Sequence, residues 1–301
     1  MAHSEGMIID VLMGEPVPME VMLDDLSTVR IVYIGELHTV ARHHKVQTRT
    51  MRSLADRGLK LALGMEMFPA QQQSVLDKWQ RGSHGVARLK MDLGDYWTNL
   101  ADYESLLLTA RDLSIPIVGL NAADDLVKKI ARKGLEGLSK AERNAVPEGT
   151  DRVNPLHDRL LRMKLKVHRA FKDKSLDRIV LAQAFRDETM ARTLARFLNS
   201  ADGQDRIMLV VAGSGHMNYG FGIPGRASRL NGLAYRIVIP SESGDLVLSE
   251  EEKRQSLPLN ITHQDLRFIR TPIADYLVVT PLKEPKHPEP VPNEVTLSTR
   301  R

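Results

Sequence analysis

Arg30-Ile31-Val32-Tyr33-Ile34-Gly35-Glu36-Leu37-His38 is the stretch that decides the fold. After Arg30 come four residues that are β-branched or aromatic, the composition of a strand buried on both faces. A glycine and a histidine then close the run. The device recurs at Arg206-Ile207-Met208-Leu209-Val210-Val211-Ala212, followed by Gly213-Ser214-Gly215-His216. Both copies read as Gly-x-x-His at the carboxyl end of a buried parallel strand. In an open α/β sheet that edge is where ligands bind. Two histidines brought to one edge by the same device point to one shared site.

Outward from the first copy, strands and helices alternate. Residues 41–57 predict a helix, stopped by Gly58 at the position just past its end. Residues 59–65 predict a second strand that runs into Glu66-Met67-Phe68-Pro69, and 70–79 a helix stopping near Gly82. Residues 103–113 predict a helix leading to a strand at 115–120. Alternation of this kind implies a largely parallel sheet flanked by helices, with right-handed crossovers. Residues 8–26 read as a lead-in with a turn at Gly14-Glu15-Pro16.

The alternation then breaks. Residues 121–172 are charged and mostly helical, and 175–198 form one long helix. Strands are expected at 206–212, 233–239 and 274–280. The reading is therefore an α/β core of residues 8–120 and 175–281, a helical insertion subdomain at 121–174, and a disordered, proline-rich and charged tail at 282–301.

The bulk composition narrows the chemistry. The chain has no cysteine, which removes disulfides, thiolate metal sites, iron–sulfur clusters and a cysteine nucleophile. Its net charge of +4 is mild, and the basic excess between Lys128 and Lys172 is mixed with acids and poor in aromatics. That pattern suits a solvated helical surface, and no nucleic-acid motif accompanies it. No run approaches the roughly 20 apolar residues of a transmembrane helix. The first ten residues lack a basic start followed by an apolar stretch, so a cytoplasmic location is the expectation from the chain as it stands. The alternative is an exported or surface lipoprotein whose leader has been removed.

Several polar residues interrupt apolar surfaces. Side chains two apart on a strand share a face, so extended backbone past Gly35 would align Glu36 with His38. Glu66 follows an apolar run, where a bare charge is costly and a partner is required. On the first helix His44, Gln47, Met51 and Leu54 form one inward stripe, while His43, about 100° around the helix, is expected to face solvent. On the long helix Gln183 and Asp187 interrupt the stripe of Leu176, Val180, Met190, Leu194 and Phe197, with Arg186 alongside. Each could be a buried polar group satisfied by its neighbours. Four of them, Glu36, His38, Glu66 and His216, converge on one sheet edge in this reading.

Taken together these segments resemble the ChaN-like family of bacterial haem-binding proteins. The matching pieces are Gly35-Glu36-x-His38 with His43-His44 and Gln47, then Met65-Glu66-Met67-Phe68 with Gln73. They continue with Gln183-Ala184-x-Arg186-Asp187-x-x-Met190-Ala191, Gly213-x-Gly215-His216-x-x-Tyr219-Gly220-x-Gly222-Ile223-Pro224, and Ala274-Asp275-Tyr276-Leu277. The resemblance implies an α/β core with a helical subdomain, binding of haem (Fe-protoporphyrin IX), a homodimer formed on haem binding, and a role in haem or iron acquisition. It implies Tyr219 as the iron ligand in phenolate form, an anionic oxygen donor that favours ferric iron. His216 is the next candidate, as ligand or as partner to the phenolate. Met217, Phe221, Ile223 and Pro224 would contact the porphyrin, His44 would lie on the cofactor side, and Arg226 or Arg229 would meet the propionates. Family members are often surface-anchored lipoproteins, from which this chain departs.

The fold is similar, more widely, to erythromycin esterases and the Tiki and TraB proteins, which implies a second reading. There His38 and His216, with Glu36 or Glu66, bind a divalent metal such as Zn²⁺ or Mn²⁺ for hydrolysis. Without metal, a histidine oriented by a glutamate acts as base and Arg186 steadies an oxyanion. Neither His-Glu-x-x-His nor a Gly-x-Ser-x-Gly elbow is present. An α/β scaffold without ligand chemistry is the third reading.

Overall fold

A computed structural model describes residues 7–94, 96–165, 173–243 and 261–281. The chain enters through a hairpin, β1 (Met7–Asp10) and β2 (Glu15–Val17), followed by α1 (Met19–Leu26). β3 (Ile31–Glu36), α2 (Ala41–Asp56), β4 (Leu61–Pro69), α3 (Gln73–Arg81), α4 (Val86–Asp92), α5 (Glu104–Asp112) and β5 (Ile117–Asn121) come next. Four helices then intervene before the next strand: α6 (Asp124–Lys133), α7 (Lys140–Asn144), α8 (Pro155–Leu165) and α9 (Asp173–Leu198). β6 (Ile207–Gly213), α10 (Ile223–Asn231), β7 (Tyr235–Ser243), the short α11 (His263–Leu266) and β8 (Tyr276–Pro281) complete the described residues.

The strands join one sheet in the order β2-β1-β8-β7-β3-β6-β4-β5. From β8 to β5 every pairing is parallel. The expected lead-in is instead an antiparallel hairpin that pairs β1 with β8, Met7 opposite Val279. Strands this short carry little periodic signal, and their partner lies at the far end of the chain. The two Gly-x-x-His strands are direct neighbours, with Glu36 in register with Gly213. β6 enters between β3 and β4 although it follows both in sequence, which opens the edge at their carboxyl ends.

Two apolar cores sandwich the sheet. Val32, Ile34, Leu63 and Met65 face a core built with α1–α5, whereas Ile31, Tyr33, Ala62 and Val210 face one built with α9 and α10. A third cluster, Ala122, Ile130, Leu138, Ala182 and Phe185, joins the inserted helices to α9. α9 thus belongs to both layers: Met190, Ala191 and Leu194 pack on the sheet, and Ala182 and Phe185 pack on the insertion. Gly58, at φ +78°, closes α2 as the sequence expects. Among the described residues no helix is long and apolar enough to cross a membrane. The disorder expected for residues 282–301 falls outside the described residues.

The exposed backbone of β5 is covered by two side chains of α3. The Gln73 amide donates to the Ile117 carbonyl at 2.8 Å and accepts from the Gly119 N–H at 2.8 Å. Two helical turns later, Gln80 donates to the Ile115 carbonyl at 2.5 Å and accepts from the Ile117 N–H at 3.1 Å. Each amide does what one residue of a neighbouring strand would do, and so blunts an edge that could pair with another chain. Replacing Gln73 or Gln80 by Ala is expected to cost about 1–2 kcal/mol each, read by urea unfolding. Faster hydrogen exchange at the Ile117 and Gly119 amides should accompany the loss.

Candidate functional site

The carboxyl ends of β3, β6, β4 and β5 carry a continuous polar network, but it has two halves. Glu36 shares its face with Val32 and Ile34, so its carboxylate enters the layer of α2 and α5. There Gln47 donates to Oε2 at 2.6 Å, and the Tyr103 hydroxyl donates a short bond to Oε1. His38 Nδ1 lies 2.6 Å from the same Oε1, so Glu36 and His38 do meet as the alternation expects. Burial, and then the Glu36 charge, push the Tyr103 phenol far above its ordinary range, which keeps it a donor. His44 stacks on Tyr103, ring centroids 4.3 Å apart, and burial lowers its pKa, keeping it neutral.

Glu66 sits one residue past Met65 and therefore points through the opposite face, toward α9. Its Oε1 takes Arg186 Nη2 at 2.5 Å and faces His216 Nε2 at 3.2 Å, while Oε2 accepts the Gly213 N–H at 2.7 Å. His216 Nδ1 lies 2.5 Å from Asp187 Oδ1. The Gln183 amide rests against the ring, 2.9 Å from Nδ1. Asn121, at the end of β5, accepts from Arg186 Nε at 3.2 Å and donates to the Glu66 carbonyl at 2.9 Å. Buried carboxylates are tolerable only when paired in this manner.

Electrostatics fix the protonation states. Burial would raise Glu66, but His216 and Arg186 outweigh it and hold the carboxyl well below the usual carboxylate range. Burial would lower His216, but Glu66 and Asp187 outweigh it and hold its pKa up at about 9. Each ring nitrogen of His216 faces a carboxylate that can only accept, so both carry protons and the ring is an imidazolium. An imidazolium has no lone pair for iron. The sequence expectation of His216 as ligand, or as partner to the Tyr219 phenolate, is thus corrected: its nitrogens are turned to Glu66 and Asp187.

The two halves touch at Gly213. A Cβ there would meet His38 Nε2 at 3.0 Å and Glu66 Oε2 at 3.6 Å, so the bare glycine leaves room for the His38 ring to lie across the strand end. His38 is 37% exposed in its side chain, leans edge-on against Trp97, and its Nε2 has no hydrogen-bond partner among the described residues.

The metal set drawn from the sequence does not assemble. Glu36 and Glu66 leave opposite faces of the sheet, and both nitrogens of His216 are engaged. Among the described residues no group of three His, Asp or Glu side chains could hold a metal ion. The donor set present therefore does not fit Zn²⁺ or Mn²⁺. Arg186 is likewise committed to Glu66 and Asn121, although 24% of its side chain remains exposed.

The loop after His216 is a pair of short helical turns, Ser214–His216 and Asn218–Gly220. Gly222 closes the loop against the His216 carbonyl so tightly that a Cβ there would come within 2.1 Å of it. Tyr219 adopts φ +62°, a conformation non-glycine residues seldom take, and its N–H is held by the Ile273 carbonyl at 2.9 Å. The ring is half-buried 5.7 Å from Phe221, and its hydroxyl has no partner among the described residues. Other expected porphyrin contacts turn inward. Met217 and Ile223, the first residue of α10, belong to the core, and Pro224, the second residue of that helix, is also buried. An apolar loop residue next to a strand end is drawn into the core before it can line a surface. Arg226 and Arg229 are bound to Glu188 at 2.6 and 2.8 Å, so neither is a spare cation for a propionate. His43, expected at the surface, is buried, and its Nδ1 accepts the Leu37 N–H at 3.0 Å. Sequence reasoning also missed Tyr103 and Asn121; the polar end of an otherwise apolar strand was the available signal for Asn121.

Fold and site define an α/β protein whose buried polar network lies at the carboxyl ends of its parallel strands. Residues 22–227, well over half of the chain, match the family described as haem-binding uptake, Tiki superfamily, ChaN, and the chain belongs to that family. Among solved structures it is similar to ChaN of Campylobacter jejuni, whose structure is described as cofacial haem binding. The TM-score is 0.66 at 18% identity, covering 91% of this chain and 96% of that one. It is more distantly similar to an erythromycin esterase mutant, EreC, in its open conformation, with TM-score 0.48, 15% identity and coverage of 81% and 78%. No curated protein matches the sequence.

The charged His216 makes a prediction for stability. A pKa raised in the folded state adds stability that is complete below the ordinary 6.5 and is lost as pH climbs through about 9. Urea unfolding should therefore weaken across that window by up to about 1.4 kcal/mol per pH unit. His216→Gln should flatten the profile; a wild-type profile already flat there would show the ring to be neutral.

Proposed function

We propose that this chain binds ferric haem through the Tyr219 phenolate and serves in haem or iron handling. The observation that carries the reading is the phenol of Tyr219, without a hydrogen-bond partner among the described residues and held in a left-handed backbone conformation on the loop that follows the second Gly-x-x-His, in a chain of the ChaN family. Backbone strain of this kind persists where surrounding structure enforces it, and it concentrates at ligand sites. Here the enforcement comes from the Ile273 carbonyl on one side and the close approach of Gly222 to His216 on the other.

The fit is one of donor chemistry. Haem would supply a ferric centre able to take an anionic oxygen ligand. Tyr219 would provide that oxygen, its ring backed by the buried Phe221 at 5.7 Å. Burial raises the Tyr219 pKa, so the phenol is protonated in the free protein and must give up its proton on binding. Met217, Ile223 and Pro224 support the loop from beneath, and His216 anchors its start. Haem is bound cofacially by the Campylobacter jejuni protein. For the present chain we extend this to a homodimer formed on haem binding, two copies meeting across a two-fold axis.

Titration of the purified chain with ferric haem should give a saturable spectrum of the high-spin, oxygen-ligated type, with doubled mass on size exclusion. Tyr219→Phe should lose the spectrum, while His38→Ala keeps it. Because proton and iron compete for one oxygen, affinity should fall as pH is lowered below neutrality, by about tenfold per unit. Unsaturable binding, or binding indifferent to both Tyr219→Phe and acid, would overturn the reading.

One observation favours a second reading, a hydrolase without metal. His38 is oriented through Nδ1 by buried Glu36 and presents, over Gly213 and on the side of Glu66, an Nε2 that has no hydrogen-bond partner among the described residues, which is the arrangement of a general base with its orienting carboxylate. Under this reading an activated ester such as p-nitrophenyl butyrate is turned over by the wild type and by Tyr219→Phe, and not by His38→Ala.

A further inference from the structure

Among the described residues two non-glycine residues have positive φ, Tyr219 and Ser114. Ser114, at φ +54°, lies just beyond the end of α5, where glycine would carry no such strain. It lines a cleft of about 820 Å³ between α3, α5, β5 and α9. Pro116 and Arg206, which precede β5 and β6, put this cleft toward the amino ends of the strands, away from the loop of Tyr219.

The cleft is lined by four arginines, Arg81, Arg111, Arg196 and Arg206, and two aspartates, Asp77 and Asp202, a surplus of two positive charges (four minus two). Asp77 is already engaged by Gln73 Nε2 at 2.8 Å. Arg111 and Arg206 are fixed in place: Arg111 stacks over Trp79 and donates to the His84 carbonyl at 2.6 Å, and Arg206 donates to the Leu61 carbonyl at 3.0 Å. Arg81 and Arg196 have no partner among the described residues.

Arginines in the last turn of a helix also complement the helix dipole, and Arg81, Arg111 and Arg196 stand at such positions. That role does not require them to converge on one cleft, does not include Arg206, and gives no reason for a strained serine. Three helix ends contribute about half a negative charge each, less than the arginine surplus, and salt screens them. Guanidinium groups with a serine hydroxyl form the donor set that recognises phosphate. Ile117, Val118 and Phe197 supply an apolar wall beside it, and the volume is that of a small-ligand site.

We propose that this cleft binds a phosphate-bearing small organic molecule, its phosphate held by Arg81, Arg196 and the Ser114 hydroxyl and its body against Phe197. This second site is independent of haem and of Tyr219.

Inorganic pyrophosphate, titrated calorimetrically into the full chain, is the first probe, with sulfate at matched ionic strength as control. Saturable binding of pyrophosphate is expected, at least about tenfold weaker in the double variant Arg81→Gln, Arg196→Gln. The two arginines contribute to the fold only through the helix dipole, so the thermal midpoint of that variant should fall by no more than a few degrees. Ser114→Gly should raise the midpoint by relieving strain and yet weaken pyrophosphate binding several-fold, a combination that a merely structural serine would not produce. Tyr219→Phe should leave pyrophosphate binding unchanged. Absence of saturable binding, equal binding of sulfate, or affinity unaffected by the double variant would each overturn the proposal. Loss of haem binding in the double variant would do so too, by placing the porphyrin in the cleft.

Discussion

The buried carboxylate of Glu66 ties the molecule together. It stands near the end of β4, with almost no exposure, and four groups from three other elements converge on it or its backbone: Arg186 from α9, His216 and the Gly213 N–H from the end of β6, and Asn121 from β5. A bare charge there would be prohibitively costly, so the partners are obligatory rather than ornamental. The long helix is thereby locked in register with the strand ends, and the loop that leaves β6 starts from a fixed point. Tyr219 inherits its position from that point, three residues on.

The same carboxylate explains why the edge has two compartments. Glu36 and Glu66 belong to neighbouring regions of one edge but leave opposite faces of the sheet. One gathers a hydrogen-bonded cluster of Glu36 with Tyr103, Gln47 and His38; the other gathers a compensated ionic cluster of Glu66, Asp187, Arg186 and His216. In the first, His38 Nε2 has no partner among the described residues. In the second, it is held as a cation between two acceptors. Two copies of a Gly-x-x-His motif have thus been put to different physical uses, and only the bare backbone of Gly213 lets them approach.

Much of this was legible from the sequence. The parallel strands are buried on both faces and therefore continuous in hydrophobicity, so β3, β4, β5 and β6 announce themselves, and Gly58 marks the end of α2. The inward stripe of α2 and the polar interruptions of α9 at Gln183 and Asp187 were readable because a helix repeats every 3.6 residues. His43 was misread because α2 is covered at its first turn by the Leu37 backbone, which periodicity does not see. The hairpin β1–β2 escaped because its partner is β8. The apolar residues Met217 and Ile223 looked like a ligand wall because a sequence does not say whether an apolar loop faces outward or inward.

The sequence by itself determined the class of fold, the strand ends at which the polar residues gather and the identity of those residues, because hydrophobic period, glycine punctuation and the cost of lone buried charges are local facts. Only the tertiary structure decided which of those residues are partners. Strand order inserts β6 between β3 and β4, and the pleat sends Glu36 and Glu66 through opposite faces. Protonation of His216 follows from that pairing: the ring is charged because two distant carboxylates meet it. Distances between residues far apart in sequence set those energies, and a linear pattern does not contain them.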